Sequence, residues 1–245
     1  QDTQSPFEGL SLINDDIKAW IKIDNTVIDY PVVQATADDP TFYLDHNYKK
    51  EQSRYGSIFI DAACENGVDS KNILLHGHHM KDGQMFAGLL KFSDLGFYKE
   101  NPIINFNTPE QDIKWKIFSI FKTNTRPDQG KVFNYLVTSF PDNKSFLEYM
   151  YNVKIRSLID TGVNVTDTDQ IITMSTCSYE MEDFRTVLVV RKLRAGEDEF
   201  ENVSSAKKVS NPLMPEAWYQ SRGVDPPQYP DFETAYKNKK IDWYF

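Results

Sequence analysis

Short segments of this chain alternate apolar and polar residues with a period of two or run apolar, and helical spacing marks other stretches between them. In WIKIDNTVIDYPVVQ, Ile21, Ile23, Val27, Ile28 and Val32 alternate with polar residues around a turn at Asp24-Asn25, which predicts two short strands. Pro31 cannot donate to a ladder and so assigns its part of the second strand to an edge or a bulge. GSIFID (Gly56 to Asp61) and NILLHGH (Asn72 to His78) read as two further strands, separated by the turn-rich AACENGVDS. IINFN and DIKWKIFSIFKTN alternate or run apolar with β-branched and aromatic residues. QIITMST (Gln170 to Thr176) and TVLVVRKL (Thr186 to Leu193) close the series.

Three stretches read as helical. Asp15 to Trp20 follows Asn14 as a candidate N-cap. DGQMFAGLLKF repeats apolar residues at Met85, Phe86, Leu89, Leu90 and Phe92, and Asn143 to Ile159 gathers Phe146, Leu147, Met150, Val153, Ile155 and Leu158 mostly on one side. About eight strands with three or four inserted helices predict a mainly β fold, a mostly antiparallel barrel or sandwich rather than a regular βαβ alternation. From Ala195 the chain turns polar and proline-rich (Pro212, Pro215, Pro226, Pro227, Pro230), yet it keeps Trp218, Tyr219, Trp243 and Tyr244. Those aromatics argue against a disordered tail. The expected organisation is a main domain over 1–194 with an N-terminal helix, and a C-terminal extension over 195–245 packed on it, irregular and partly helical.

Composition narrows the function classes. Hydrophobic residues at 40% and charged residues at 26% describe an ordinary folded domain. A net charge of -9 and the lack of a basic stripe argue against nucleic-acid binding. No run of about 18 apolar residues is present to span a membrane. The start, QDTQSPFEG, reads as a cut within a longer polypeptide, so a membrane association is expected only through an N-terminal anchor outside these residues.

Cys64 and Cys177 form neither a disulfide framework nor a C-x-x-C metal pair. Each is either a buried structural thiol or a nucleophile. Cys177 lies at the end of a strand in TMSTCSYE, where its sulfur can meet side chains of neighbouring strands; a reactive thiolate requires a cationic neighbour. In LLHGHHM, strand alternation places His76 and His78 on one face and His79 on the other. A histidine beside a glycine at a strand end suits proton transfer. H-x-H metal binding needs a third and usually a fourth ligand, and only His46 remains, so no metal is expected. Arg185 opens an apolar strand eight positions after Cys177; if the two strands form a hairpin, its guanidinium comes near the sulfur, where it can stabilise an oxyanion. Nucleophile, acid/base and electrophilic stabiliser together are what acyl transfer requires.

WIKIDNTVIDYPVVQ, FYLDHNYKKEQSRYGSIFID, HGHHMKDGQMFAGLLKF and MSTCSYE followed by an arginine strand resemble the class B sortases in order and spacing, over roughly Asn14 to Leu193. His76, His79 and Met174 depart from the family's YGHNM and TLSTC forms. The resemblance implies an eight-stranded sortase barrel and a cysteine transpeptidase working without a cofactor. It implies Cys177 as nucleophile toward a threonine carbonyl in a C-terminal sorting motif, His78 as general acid then base, and Arg185 on the carbonyl region and oxyanion. Ser175 is implied to line the substrate groove, with no catalytic part for His76 or His79 and no evident acidic partner for His78. The implied partners are a surface protein bearing that motif and a peptidoglycan precursor or cross-bridge amine, at the extracellular face of the plasma membrane. A pilin-polymerising sortase is the disfavoured alternative, since a lid segment before the barrel is not evident in these residues. A non-enzymatic β-barrel adaptor with an inert Cys177 is the remaining alternative.

Overall fold

The computed structural model describes residues 7, 9, 10, 12–179 and 181–244. Eight strands close into a barrel: β1 (Ile17–Lys22), β2 (Asp29–Gln34), β3 (Ile58–Ile60), β4 (Asn72–His76), β5 (Ile103–Asn107), β6 (Lys114–Asn124), β8 (Ile171–Ser178) and β9 (Phe184–Lys192). Their order around the barrel is β1-β2-β3-β4-β8-β9-β6-β5. The β2–β3 and β4–β8 pairs are parallel and the others antiparallel. Outside it, β7 (Ile159–Asp160) pairs with β10 (Lys207–Lys208). Inserted helices are α1 (Leu95–Glu100) and α2 (Asn143–Lys154), and α3 (Glu216–Gln220) and α4 (Phe232–Lys237) follow the barrel. The spacing read at Met85 to Phe92 forms a 3-10 helix over Phe86–Ser93. Among the described residues no helix is long and apolar enough to cross a membrane.

Two readings near helix ends change. The helix expected over Asp15 to Trp20 is instead the strand β1, wedged between β2 and β5. Ile17, Ala19 and Ile21 are buried while Lys18 and Lys22 are exposed, a period of two that wins once strands lie on both sides. Asn14 does cap a turn: its side-chain oxygen accepts from the Asp16 amide at 2.9 Å, a local bond that starts a turn as readily as a helix. The helix expected over Asn143 to Ile159 stops at Lys154, with Asp142 as its N-cap, and the chain then enters β7. Pro31 sits where β2 pairs with β1 alone, since the β3 ladder begins at Val32.

The alternation along β8 and β9 sorts side chains into two cores. Ile172, Met174, Leu188 and Val190 point into the barrel, with Ile21, Ile58, Leu75 and Phe106. Ile171, Val187 and Val189 face outward into a second core with Phe118, Phe121, Met150 and Val153, which Phe232, Ile241 and Trp243 of the C-terminal extension complete. The outward face of β8 and β9 is thus the one that a connecting segment, 125–142, crosses. It is also the face that carries Ser175, Cys177 and Arg185.

Candidate active site

Cys177 and Arg185 are direct cross-strand partners in the β8–β9 hairpin, and Ser175 stands opposite Val187 two residues back along the same face. Opposed residues of an antiparallel pair project to one side with Cβ atoms about 5 Å apart, so the guanidinium belongs to the surroundings of the sulfur. Cys177 is half-buried and unpaired in any disulfide. Arg185 is half-buried too; the only hydrogen bond its guanidinium makes among the described residues goes to the Phe184 carbonyl at 3.2 Å, and no carboxylate there engages it. That leaves most of the guanidinium's donors unused by the described residues.

His78 reaches the site by a different route. The parallel β4–β8 ladder ends at the pair His76–Ser175. His78 and Cys177 each lie two residues beyond it, so they leave the barrel at the same end. Thr176 Oγ1 donates to the Gly77 carbonyl at 2.8 Å and ties the two exits together. A Cβ on Gly77 would come within 2.5 Å of Ile58 Cδ1 and 2.8 Å of the Phe86 ring, so only glycine passes here without a shift. The His78 Nε2–H donates to the Leu44 carbonyl at 2.7 Å, which fixes that tautomer in the neutral ring and leaves Nδ1 as the acceptor. Leu44 itself is set by Gly56: with φ +57, a Cβ there would lie 2.6 Å from the carbonyl oxygens of both Tyr43 and Leu44.

Three further groups were not singled out from the sequence as parts of the site. Tyr135, carried across the outer face by the 125–142 segment, shares a 2.8 Å hydrogen bond with Ser175 Oγ. Burial pushes its phenol up, against the Ser175 hydrogen bond and the nearby Arg185 charge. The Tyr149 hydroxyl holds it in place by donating to its carbonyl at 3.0 Å. No local pattern marks Tyr135, because its partner is 40 residues away. His79, expected to face away, donates from Nδ1 to the Cys177 carbonyl at 2.9 Å and packs on Tyr179 with ring centroids 4.4 Å apart. Strand alternation does not govern it, since β4 has already ended at His76. His76 Nε2 and Asp61 Oδ2 share a 2.7 Å hydrogen bond, so the Asp61 carboxylate is engaged by His76. Cys64 is removed from all this: it is 2% exposed, its sulfur accepts from the Leu74 amide, and burial pushes its thiol up to about 11.

The chain that carries this arrangement, a half-buried thiol facing a guanidinium with a tautomer-fixed imidazole at the same barrel end, has relatives among known proteins. Residues 21–193 match the Sortase domain family. Sortase B of Listeria monocytogenes is 35% identical over 190 residues, covering 78% of this chain and 74% of that protein. Sortase B of Staphylococcus aureus is 35% identical over 189 residues, 76% and 74% of the two. Among solved structures, a Staphylococcus aureus sortase B–substrate complex superposes with a TM-score of 0.67 at 33% identity, covering 78% of this chain and 85% of that one. Clostridium perfringens sortase B gives a TM-score of 0.68 at 32% identity, covering 76% and 99%. By sequence and by barrel, this chain belongs to the sortase family, as a cysteine transpeptidase of the sortase B type.

Proposed function

We propose that Cys177, His78 and Arg185 carry out the transpeptidation. The Cys177 sulfur attacks the carbonyl of a threonine in the C-terminal sorting motif of a surface protein. A tetrahedral oxyanion forms, and Arg185 stabilises it with hydrogen bonds and charge. As the C–N bond breaks, His78 delivers a proton to the departing amine, leaving a thioacyl-enzyme. An amine of a peptidoglycan precursor or cross-bridge then attacks the thioester, His78 takes its proton, and the thiol returns. Ser175, braced by Tyr135, lines the groove that holds the motif, and no cofactor enters the sequence. The domain over 1–194 supplies the chemistry in this reading, and 195–245 supports it. Sortases are cell-surface proteins; the reading puts this one at the extracellular face of the plasma membrane, held by an N-terminal anchor outside the 245 residues.

The observation that carries the reading is the direct pairing of Cys177 with Arg185 across β8 and β9. An inert core cysteine needs no cation opposite it. The test is capture of a sorting-motif peptide as a thioacyl-enzyme, followed by intact-protein mass. Wild type gains the acyl mass and Cys177→Ala, with an unchanged melting curve, gains none. Cleavage retained by Cys177→Ala would end the proposal.

A further inference from the structure

The family match stops at residue 193, and the residues beyond it help build a cavity of about 590 Å³ beside the end of β6. Its walls are mainly apolar, with Phe133 on the barrel side and Leu213, Met214 and Tyr219 on the extension. The charged groups are sorted by wall: Lys122, Lys131 and Arg156 on the barrel side, Glu216 and Asp225 on the extension, with Lys122 Nζ already donating to the Thr186 and Ser178 hydroxyls. The extension is set tightly against the barrel here, since a Cβ on Gly130 would lie 2.4 Å from Glu216 Cβ.

Arg156 is the unusual member. Its guanidinium stacks on the Phe133 ring at 4.3 Å, and Nη1 donates to the carbonyl and side chain of Asn152 at 2.7 and 3.3 Å. Among the described residues no carboxylate pairs with it or with Lys131. Burial, opposed by no nearby acid, pushes Arg156 down to about 10. A desolvated cation facing a cavity without a counter-ion costs free energy that an incoming carboxylate would recover. The acids on the opposite wall repel that carboxylate and so fix which way round a peptide enters.

Thr123 also lines the cavity, and it is the register partner of Arg185, which is in turn the partner of Cys177. Two strand spacings put Thr123 about 10 Å from Cys177 along the sheet. A tripeptide in extended form covers about that distance.

We propose that this cavity holds the carboxylate end of the acceptor peptide, against Arg156 and Lys131, with its apolar body between Phe133 and the extension and its free amine directed toward Cys177. This assignment of the ligand as acceptor rests on the role proposed for Cys177; the carboxylate site itself does not. The probes are trialanine, with free amine and free carboxylate, and its C-terminal amide. Calorimetry on the full chain is expected to show the acid binding at least tenfold more tightly than the amide, and Arg156→Gln and Lys131→Gln each to narrow that difference. Lys131 is exposed, so its variant separates lost binding from lost folding, and melting curves check both. In the transfer reaction, Arg156→Gln is expected to raise the KM for trialanine tenfold or more, toward that of the amide. Equal affinity of wild type for acid and amide would overturn the site. Discrimination that depends on Arg156 in calorimetry but leaves the acceptor KM unmoved would overturn the acceptor assignment. Acylation of wild type by the sorting peptide alone, read by mass, reports separately on Cys177.

Discussion

Glu197, the third residue of the extension, neutralises two cations that the barrel buries on its outer face. Arg191 of β9 is 0% exposed and Lys116 of β6, its register partner, 2%. Glu197 accepts from Arg191 Nη1 at 2.8 Å, from the Arg194 amide at 3.0 Å, and lies 3.2 Å from Lys116 Nζ. Burial alone would raise its pKa; the hydrogen bonds from Arg191 and Arg194 and the Arg191 charge outweigh that and hold the carboxyl at about 2 instead of 4.5. That difference corresponds to about 3 kcal/mol of stability, consistent with the ~3–5 kcal/mol cost of removing one partner from a buried ion pair. The folded pKa is depressed, so this stability is fully present above pH 4.5 and is lost as pH falls toward 2. Glu197→Gln keeps the shape and removes the charge. Urea unfolding at pH 7 should show the variant less stable by about 3 kcal/mol, a fall in Tm of about 6–12 °C for a chain of this length. At pH 3 the gap should shrink to about 1 kcal/mol, because wild type has by then lost most of the carboxylate's advantage. A gap below 1 kcal/mol at pH 7, or one that does not narrow in acid, would refute the reasoning.

Other outcomes follow from single contacts. Iodoacetamide at pH 8 should alkylate Cys177 and spare Cys64, whose thiol is buried and pushed up to about 11; equal labelling by peptide mapping would contradict the assignment. Gly56→Ala should cost about 2 kcal/mol or more, from the left-handed backbone and the 2.6 Å approach to the Tyr43 and Leu44 carbonyls, and should lower kcat because Leu44 orients His78. Unchanged kcat in a folded variant would show that the Leu44 bond does not matter for turnover. Trp243→Ala, removing a 7%-exposed ring packed edge-on against Phe118 at 5.4 Å, should cost about 3–5 kcal/mol in chemical denaturation, whereas a loss under 1 kcal/mol would mean the extension contributes little to the outer core.

The patterns of Gln170 to Thr176 and Thr186 to Leu193 mark β8 and β9 as strands, which the fold extends to Ile171–Ser178 and Phe184–Lys192, and the short connection between them brings Arg185 to Cys177. Local order suffices there, because a hairpin is decided by residues near one another in the chain. The segment Asp15 to Trp20 shows the opposite: Asn14 and a six-residue stretch are compatible with a helical turn, and only the ladders to β2 and β5 make β1 a strand. His78 is intermediate. Its residue type and its place after β4 are written in HGHHM, but its level with Cys177 depends on the parallel β4–β8 register, and its tautomer on a carbonyl 34 residues away.

By itself, then, the sequence determined the eight strands of the barrel and, through its short motifs, the family; periodicity alone left barrel and sandwich open, and Cys177, His78 and Arg185 are the residues those motifs propose for the reaction. The tertiary structure alone decided that Tyr135 braces Ser175, that His79 holds the Cys177 backbone, and that Glu197 counters Arg191 and Lys116. It also decided that the extension walls a cavity one strand beyond Arg185. Those contacts join residues distant in the chain, and their energies come from desolvation and charge pairing, which exist only once the surfaces have been brought together.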